Sequence, residues 1–230
     1  MPTTIRDVLS ELDASSTDER DKGDKFERLM AAYLRADATW SNRFRTVWLW
    51  NEWPGRRGKP DTGIDLVAEE REGGGLTAIQ CKFYDSTHKL YKRDIDSFFT
   101  ASGREAFTGR MIVSTTDGWS SNAEDALEGQ QVPVTRLRVQ DLDESSIDWS
   151  QFSLRASEVM KLKDKKVLRA HQRLAFAKVC DGFQTHARGK LIMACGTGKT
   201  LTSLRIAENV VAPGAVRWCW CPRSRYCPRR

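Results

Sequence analysis

The chain has 230 residues, of which 40% are hydrophobic and 30% are charged. This balance is typical of a folded globular protein and excludes a disordered, collagen-like or low-complexity chain. No apolar run reaches the roughly 18 residues of a membrane span, and the charged N-terminus lacks the apolar core of an export signal, so we expect a cytoplasmic protein without membrane contact. The net charge of +6 is weak evidence for a nucleic-acid partner, because the positive charge is not spread over the chain. Residues 1–168 carry 25 basic and 29 acidic side chains, whereas residues 217–230 carry five arginines and no acid.

Residues 1–145 predict one α/β domain. Apolar residues recur at helical spacing in residues 5–12 and 25–36, and two β-rich runs, IDLVAEE and LTAIQCKFY, flank the turn sequence REGGG as in a hairpin. A strand is predicted before the hairpin, and the elements that follow it are helix 92–106, strand 109–115, helix 120–129 and strand 132–140. This order predicts a mixed sheet flanked by helices. The polar, lysine-rich residues 146–168 predict a linker.

Residues 169–216 predict the opening of a second α/β domain. The run VLRAHQRLAFAKVCDGFQ has the composition of a helix, GKLIMA that of a buried strand, and CGTGKT leads into a further helix, LTSLRIAENVV. Residues 217–230 fit nothing before them.

The predicted hairpin carries the first candidate site. Period-two alternation places Gln80 and Lys82 on one face of their strand, and a tight hairpin brings that face beside Asp65. Phosphodiester hydrolysis needs such a set, because oxygen ligands hold a divalent cation and a lysine orients water and offsets the charge that develops on phosphate. Asp65 and the Gln80 side-chain oxygen are the expected metal ligands, and Glu27 on the preceding helix is a candidate second carboxylate.

The sequence GIDLVA followed by IQCKFY resembles the PD-(D/E)xK nuclease superfamily, and is most similar to its Mrr-like branch, in which Gln replaces the middle acid. The resemblance covers about residues 20–145. It implies a restriction-endonuclease fold, dependence on Mg²⁺ and cleavage of double-stranded DNA, with Asp65, Gln80, Lys82 and, on a helix before them, Glu27 as catalytic residues. Asp61, in a literal Pro-Asp pair, is a further acidic candidate.

The second candidate site is a phosphate loop. Glycines that permit tight turns, a lysine for the terminal phosphates and a threonine for Mg²⁺ stand between a predicted strand and a helix, which is the arrangement that binds ATP phosphates. The residues are Gly196, Thr197, Gly198, Lys199 and Thr200. The form A-x-x-G-x-G-K-T resembles superfamily 2 helicases and restriction translocases, and LRAHQ resembles their upstream motif, which implies that Gln172 reads adenine.

We expect the second domain to be an incomplete RecA-like lobe without ATPase activity, because no Asp or Glu follows Glu208 to serve as the second acidic motif. One codon choice for residues 217–222 reads Val-Val-Leu-Val-Pro in another frame, so we interpret the tail as a frameshifted segment.

The combined prediction is a restriction or defence nuclease joined to the start of a motor. Three other interpretations remain open: a structure-specific nuclease such as a junction resolvase, a non-catalytic DNA-binding module, and a nucleotide-binding fragment without nuclease activity. The sequence does not determine the recognition site, the methylation dependence or the oligomeric state, and a dimer is one of the states that it allows.

Overall fold

A computed structural model describes residues 4–58, 63–103, 107–154, 159–194 and 196–210. The chain divides into two compact units, Met1–Lys163 and Asp164–Arg230, and each is described by itself. The predicted acidic candidate Asp61 and the predicted frameshifted tail, 217–230, lie outside the described residues. No helix in the described ranges is long and apolar enough to cross a membrane.

The first unit contains six α-helices among its described residues, and the first two begin at capping residues of the sequence. Thr4 and Asp7 form a reciprocal capping box at the start of the first helix, and Asp18 accepts the Asp21 N–H at the start of the second. The helices are α1 (Ile5–Ala14), α2 (Glu19–Ala36), α3 (Ala38–Arg43), α4 (Asp96–Ser102), α5 (Ser121–Asp125) and α6 (Val139–Asp143).

The strands of the first unit are β1 (Phe44–Leu49), β2 (Leu66–Glu70), β3 (Leu76–Lys82), β4 (Lys89–Leu90), β5 (Phe107–Ser114), β6 (Gly118–Trp119) and β7 (Val134–Arg138). Within the described residues, five of them form one mixed sheet in the order β1-β2-β3-β5-β7. The β1–β2 and β2–β3 pairs are antiparallel, and the β3–β5 and β5–β7 pairs are parallel. The mixed sheet flanked by helices is therefore confirmed, although the predicted helix 92–106 is shortened to α4.

Alternation along the strands separates two apolar layers. Ile79 of β3 packs into a core with the α2 side chains Phe26 and Leu29, whereas the neighbouring Ala78 faces a second core that contains Phe98 of α4. All five of these side chains are fully buried or nearly so. The sheet is covered on both faces because successive side chains of a strand point to opposite sides.

The segment after residue 145 differs from the predicted linker. Trp149 and Phe152 are 2% and 4% exposed and pack in the α2 core, and the Asp37 carboxylate accepts hydrogen bonds from the Ser146 N–H and hydroxyl. Ile147 also pairs with Leu162 in an isolated antiparallel bridge. The polar composition of residues 146–168 hid these few apolar anchors, and the first compact unit extends to Lys163 as a result.

The described part of the second unit contains two helices, α7 (Ala170–Thr185) and α8 (Lys199–Val210). The predicted buried strand over GKLIMA is wrong: the described residues 189–194 have no strand pairing, and Ile192 is 89% exposed. A strand needs a hydrogen-bonded neighbour, and the described residues of this unit contain none.

Candidate active site

The hairpin brings Asp65 and Gln80 together at one end of the sheet. The antiparallel register pairs Leu66 with Ile79, so Asp65, the residue immediately before β2, lies opposite Gln80. The Asp65 N–H donates to the Ile79 carbonyl at 2.9 Å, and Asp65 Oδ2 accepts the Cys81 N–H at 2.6 Å. The carboxylate is therefore held against the C-terminal end of β3.

Gln80 combines deep burial with an unused acceptor. Its side chain is on the face opposite Ile79, the residue is 1% exposed, and Nε2 donates to the Gly63 carbonyl at 3.1 Å. Oε1 is buried and has no hydrogen-bond partner among the described residues. An unsatisfied buried carbonyl costs about 1–3 kcal/mol, so a group that binds this oxygen would recover that cost.

Lys82 follows Gln80 by two residues and is therefore on the same face of β3. Its backbone carbonyl is fixed by the Thr115 N–H at 3.1 Å, and the residue is partly exposed. Its ammonium forms no salt bridge in the part of the chain that the structure describes. An ammonium at the site edge is available for an anionic substrate.

Glu27 reaches the same region from α2. Its neighbour Phe26 packs edge-to-face on Phe83, which follows β3, with ring centroids 5.3 Å apart. Burial raises the pKa of the Cys81 thiol well above its ordinary value, and the negative charges of Asp65 and Glu27 raise it further while Lys82 lowers it. The thiol is thus protonated near neutral pH, and the two carboxylates and the ammonium all lie within electrostatic reach of it.

The donor set fits a hard cation. The described residues contain no group of three or more His, Cys, Asp or Glu side chains that could hold a metal ion. The buried Gln80 Oε1 adds a neutral oxygen without a competing partner. Oxygen-only ligands favour Mg²⁺ over softer metals.

Basic side chains flank this end of the sheet. The loop after β1 starts beside the site, since the Trp50 N–H donates to the Asp65 carbonyl at 2.8 Å, and it carries the exposed Arg57. The segment after β3 carries the exposed Lys89, Lys92 and Arg93. We call these four residues the flanking basic set. They lie on the segment that follows β1 and on the segment that follows β3, where Lys92 pairs with Asp96 and Arg93 with Asp94.

In the second unit, the predicted phosphate loop turns through two glycines with left-handed backbone angles, φ 77° at Gly196 and φ 80° at Gly198. Thr197 Oγ1 donates to the Ala194 carbonyl at 2.7 Å. The Lys199 ammonium donates to the carbonyls of Ala194 and Met193, at 3.0 and 3.3 Å. The loop therefore leads directly into α8, with Lys199 and the exposed Thr200 in its first turn.

Gln172 contacts this loop. Its Nε2 donates to the Thr197 carbonyl at 2.9 Å, and His171 Nε2 lies 3.1 Å from the same oxygen. A cavity of about 450 Å³ is lined by the loop residues together with Lys166, Arg169 and Gln172. The sequence prediction did not include His171, although its position next to Gln172 in LRAHQ was a usable signal.

Comparison with known proteins places both segments. The family model Mrr_cat_2, described as restriction endonuclease, matches residues 35–159, and the model ResIII, described as type III restriction enzyme, res subunit, matches residues 165–216. Both matches confirm the resemblances seen in the sequence. No curated protein matches the chain.

Among solved structures, the chain is similar to the ATP-dependent Type ISP restriction-modification enzyme LlaBIII bound to DNA, with 36% identity and a TM-score of 0.74. That match covers 91% of this chain and 13% of that chain, so this chain spans a small part of the enzyme. The MspJI restriction endonuclease in complex with a 27-mer oligonucleotide matches with 18% identity and a TM-score of 0.38, over 60% of this chain and 29% of that one.

Proposed function

Because the chain belongs to the Mrr_cat_2 restriction endonuclease family, we propose that its first unit is a Mg²⁺-dependent nuclease that hydrolyses phosphodiester bonds of double-stranded DNA. The observation that carries the proposal is the site on β3. Asp65 and Lys82 flank a buried Gln80 whose carbonyl oxygen has no partner among the described residues. Burying an oxygen without a partner is costly, and a metal ligand at this position is a reason to retain it.

The roles follow from the side chains. Asp65, Gln80 and Glu27 would hold Mg²⁺ through oxygen, and Asp65 keeps its orientation through the Cys81 N–H. When bound, Mg²⁺ supplies positive charge that polarises the phosphate and favours ionisation of the attacking water. Lys82 orients that water and stabilises the negative charge that develops on the phosphate oxygens.

The flanking basic set, Arg57, Lys89, Lys92 and Arg93, contacts the DNA backbone on either side of the scissile phosphate. Because residues 1–168 carry more acidic than basic side chains, attraction to DNA has to come from local groups of basic side chains. Each phosphate contact that is removed lowers the dependence of binding on salt by about one ion. Single Ala substitutions in the flanking basic set are expected to weaken DNA binding and flatten its salt dependence while leaving the chemistry intact.

The direct test is cleavage of plasmid DNA by the full chain without ATP, with Mg²⁺ or EDTA, on methylated and unmethylated substrate. We expect cleavage that requires Mg²⁺, falls at least about 100-fold in Lys82→Ala, and persists in Asp125→Asn, an exposed acid far along the sequence that serves as the control for Asp65→Asn. The Lys82→Ala variant should still bind DNA. Cleavage that survives both Asp65→Asn and Lys82→Ala would refute this site.

The same assay separates the alternatives. Preferential cutting of four-way junctions over linear duplex would favour a junction resolvase, and DNA binding that is equal with and without Mg²⁺, with no cutting of any substrate, would favour a non-catalytic module. Neither alternative has a structural observation of its own in the first unit.

The second unit supports a second proposal, ATP binding at the phosphate loop. We assign the phosphates to Gly196, Thr197, Gly198 and Lys199, with Thr200 placed to hold Mg²⁺. The nuclease and nucleotide-binding regions are then divided after Lys163. Titration of the full chain with ATP should show binding that Lys199→Ala abolishes, and equal binding by this variant would exclude the loop.

A further inference from the structure

We propose that Thr115 is a positioning residue for Lys82, and that its hydroxyl sets the rate of DNA cleavage without contributing to DNA binding. Thr115 directly follows β5 and lies beside the end of β3. The inference rests on the proposed nuclease function. It assigns a role in that site to a side chain outside the hairpin and α2, which carry the catalytic set.

Thr115 pairs with three backbone groups at the end of β3. Its N–H donates to the Lys82 carbonyl at 3.1 Å. Its hydroxyl accepts the Tyr84 N–H at 2.7 Å and donates to the Tyr84 carbonyl at 2.6 Å. A hydroxyl has one proton to donate and lone pairs to accept, so it makes both hydrogen bonds at once. It takes the place that a neighbouring strand backbone would have.

The turn after β5 explains why a side chain is needed there. Ser114 Oγ accepts the Thr116 N–H at 3.1 Å and donates to the Thr116 carbonyl at 3.0 Å. Both residues are buried. The backbone groups of Thr116 are therefore used within its own turn, and the parallel pairing of β3 with β5 ends at Lys82 and Ser114. Beyond that pair, the Thr115 hydroxyl holds the segment after β3.

The hydrogen bonds to Tyr84 keep Lys82 in regular strand geometry. Phe83 packs against the core that contains α2, whereas Tyr84 packs against the opposite layer, so the alternation of β3 continues for two residues past its end. Lys82 is the last residue of β3, and the last residue of an element frays readily unless the following residues are held. With Tyr84 fixed, Lys82 stays on the face that it shares with Gln80.

A small displacement of the Lys82 ammonium should have a measurable effect on the rate. A shift of about 1 Å in a positioned group can reduce a rate by about 100-fold. Removal of the Thr115 hydroxyl leaves the Thr115 N–H bonded to the Lys82 carbonyl, so we expect a smaller reduction, about tenfold. The affinity for DNA should stay within about twofold, because the flanking basic set is unchanged.

Three substitutions at Thr115 isolate the hydroxyl. Thr115→Val keeps the shape of the side chain and removes the hydroxyl, whereas Thr115→Ser keeps the hydroxyl. Thr115→Ala also lacks the hydroxyl and gives the same test without the added methyl group of valine. The matched control is Thr108→Val, near the other end of β5, where an exposed threonine hydroxyl donates to the Leu76 carbonyl at 3.4 Å. Urea denaturation establishes that each variant is folded under the assay conditions.

Single-turnover cleavage of plasmid DNA by the full chain in Mg²⁺, with DNA affinity measured in EDTA, is the first measurement. We expect Thr115→Val and Thr115→Ala to cleave about tenfold more slowly, and Thr115→Ser and Thr108→Val to stay within about twofold of the wild type. An unchanged rate in Thr115→Val, or a loss of DNA affinity in place of a loss of rate, would overturn the proposal.

Combination with Lys82→Ala shows whether the hydroxyl acts through Lys82. If it does, Thr115→Val reduces the rate about tenfold in the wild-type background and less than about twofold in the Lys82→Ala background, because the ammonium that it positions is already absent. A general loss of structure predicts the same factor in both backgrounds, and that result would refute the positioning role.

Hydrogen exchange of the Tyr84 amide in EDTA is the second measurement, and it does not depend on activity. This amide should exchange about tenfold faster in Thr115→Val than in the wild type, Thr115→Ser or Thr108→Val. If the wild-type protein cleaves no DNA, the nuclease proposal fails and the catalytic role of Thr115 fails with it. Cleavage by the wild type together with unchanged exchange at Tyr84 would overturn the present inference alone.

Discussion

Replacement of Gln80 by Leu should abolish DNA cleavage and make the first unit more stable. Gln80 is 1% exposed, and its Oε1 has no partner among the described residues. Leucine has a similar volume without a polar atom, so the substitution removes a desolvated acceptor that contributes to metal binding and opposes folding. Function and stability should therefore change in opposite directions.

The magnitude follows from two opposing contributions. Removing the unsatisfied buried carbonyl recovers about 1–3 kcal/mol, and losing the Nε2 hydrogen bond to the Gly63 carbonyl costs about 1 kcal/mol. The net expectation is an increase of about 1 kcal/mol in the free energy of unfolding. For a unit of this size, that corresponds to a rise of about 3 °C in the melting temperature.

The assay is urea denaturation of the full chain in EDTA, followed by tryptophan fluorescence, in parallel with plasmid cleavage in Mg²⁺. Gln80→Glu is the matched variant, since it keeps an oxygen but buries a negative charge. It should lower stability in EDTA, retain cleavage, and regain stability as Mg²⁺ is added. A Gln80→Leu protein that is less stable than the wild type in EDTA, or that cleaves DNA at the wild-type rate, would refute the assignment of Oε1 as an unsatisfied metal ligand.

Three further predictions concern the fold that supports the site. Asp37→Ala should lower the free energy of unfolding, measured by urea denaturation, by about 2 kcal/mol, because the buried carboxylate accepts hydrogen bonds from Ser146 and caps α3. An unchanged free energy of unfolding would show that the residues after 145 are not anchored at Asp37. Trp149→Ala should cost about 3–5 kcal/mol in the same experiment, since the ring is 2% exposed, whereas Trp149→Phe should cost less. Burial raises the pKa of Glu70, but the hydrogen bonds from Arg43 and Thr77 lower it by more, so the pKa lies below its ordinary value of 4.5. The stability that Glu70 contributes is therefore present above about pH 4.5 and is lost as the pH falls through the lowered pKa. Glu70→Gln should flatten this acid limb of the stability curve, and an identical limb in the variant would contradict the assignment.

The candidate nuclease site was predictable from local sequence. Alternation fixed the shared face of Gln80 and Lys82, and the short REGGG connection brought Asp65 opposite them, so one hairpin contained most of the set. Residues near in sequence and joined by a tight turn have few ways to arrange themselves. The burial of Gln80, and the lack of a partner for its Oε1 within the described part of the chain, were not predictable, because both depend on the segments around Gly63 and α4 that cover this face.

The boundary of the first unit was not predictable from composition. Residues 146–168 are rich in lysine, and their average polarity concealed Trp149 and Phe152, which fill the core beside α2. A few buried apolar side chains contribute more to stability than many exposed polar ones. The average polarity of the segment therefore does not show whether it packs against the core. The predicted strand at 189–194 was wrong because its apolar composition does not by itself provide a neighbouring strand with which to pair.

By itself, the sequence determined the α/β class, the hairpin with Asp65, Gln80 and Lys82, and the phosphate loop, because periodicity, turn glycines and motif spacing act over a few residues. Only the tertiary structure decided that Gln80 Oε1 is buried without a partner among the described residues and that the Gln172 amide is bonded at both ends. The second of these hydrogen bonds joins residues 25 positions apart. Which polar atom finds a partner depends on the packing of distant segments, and that information is not contained in any single stretch of the chain.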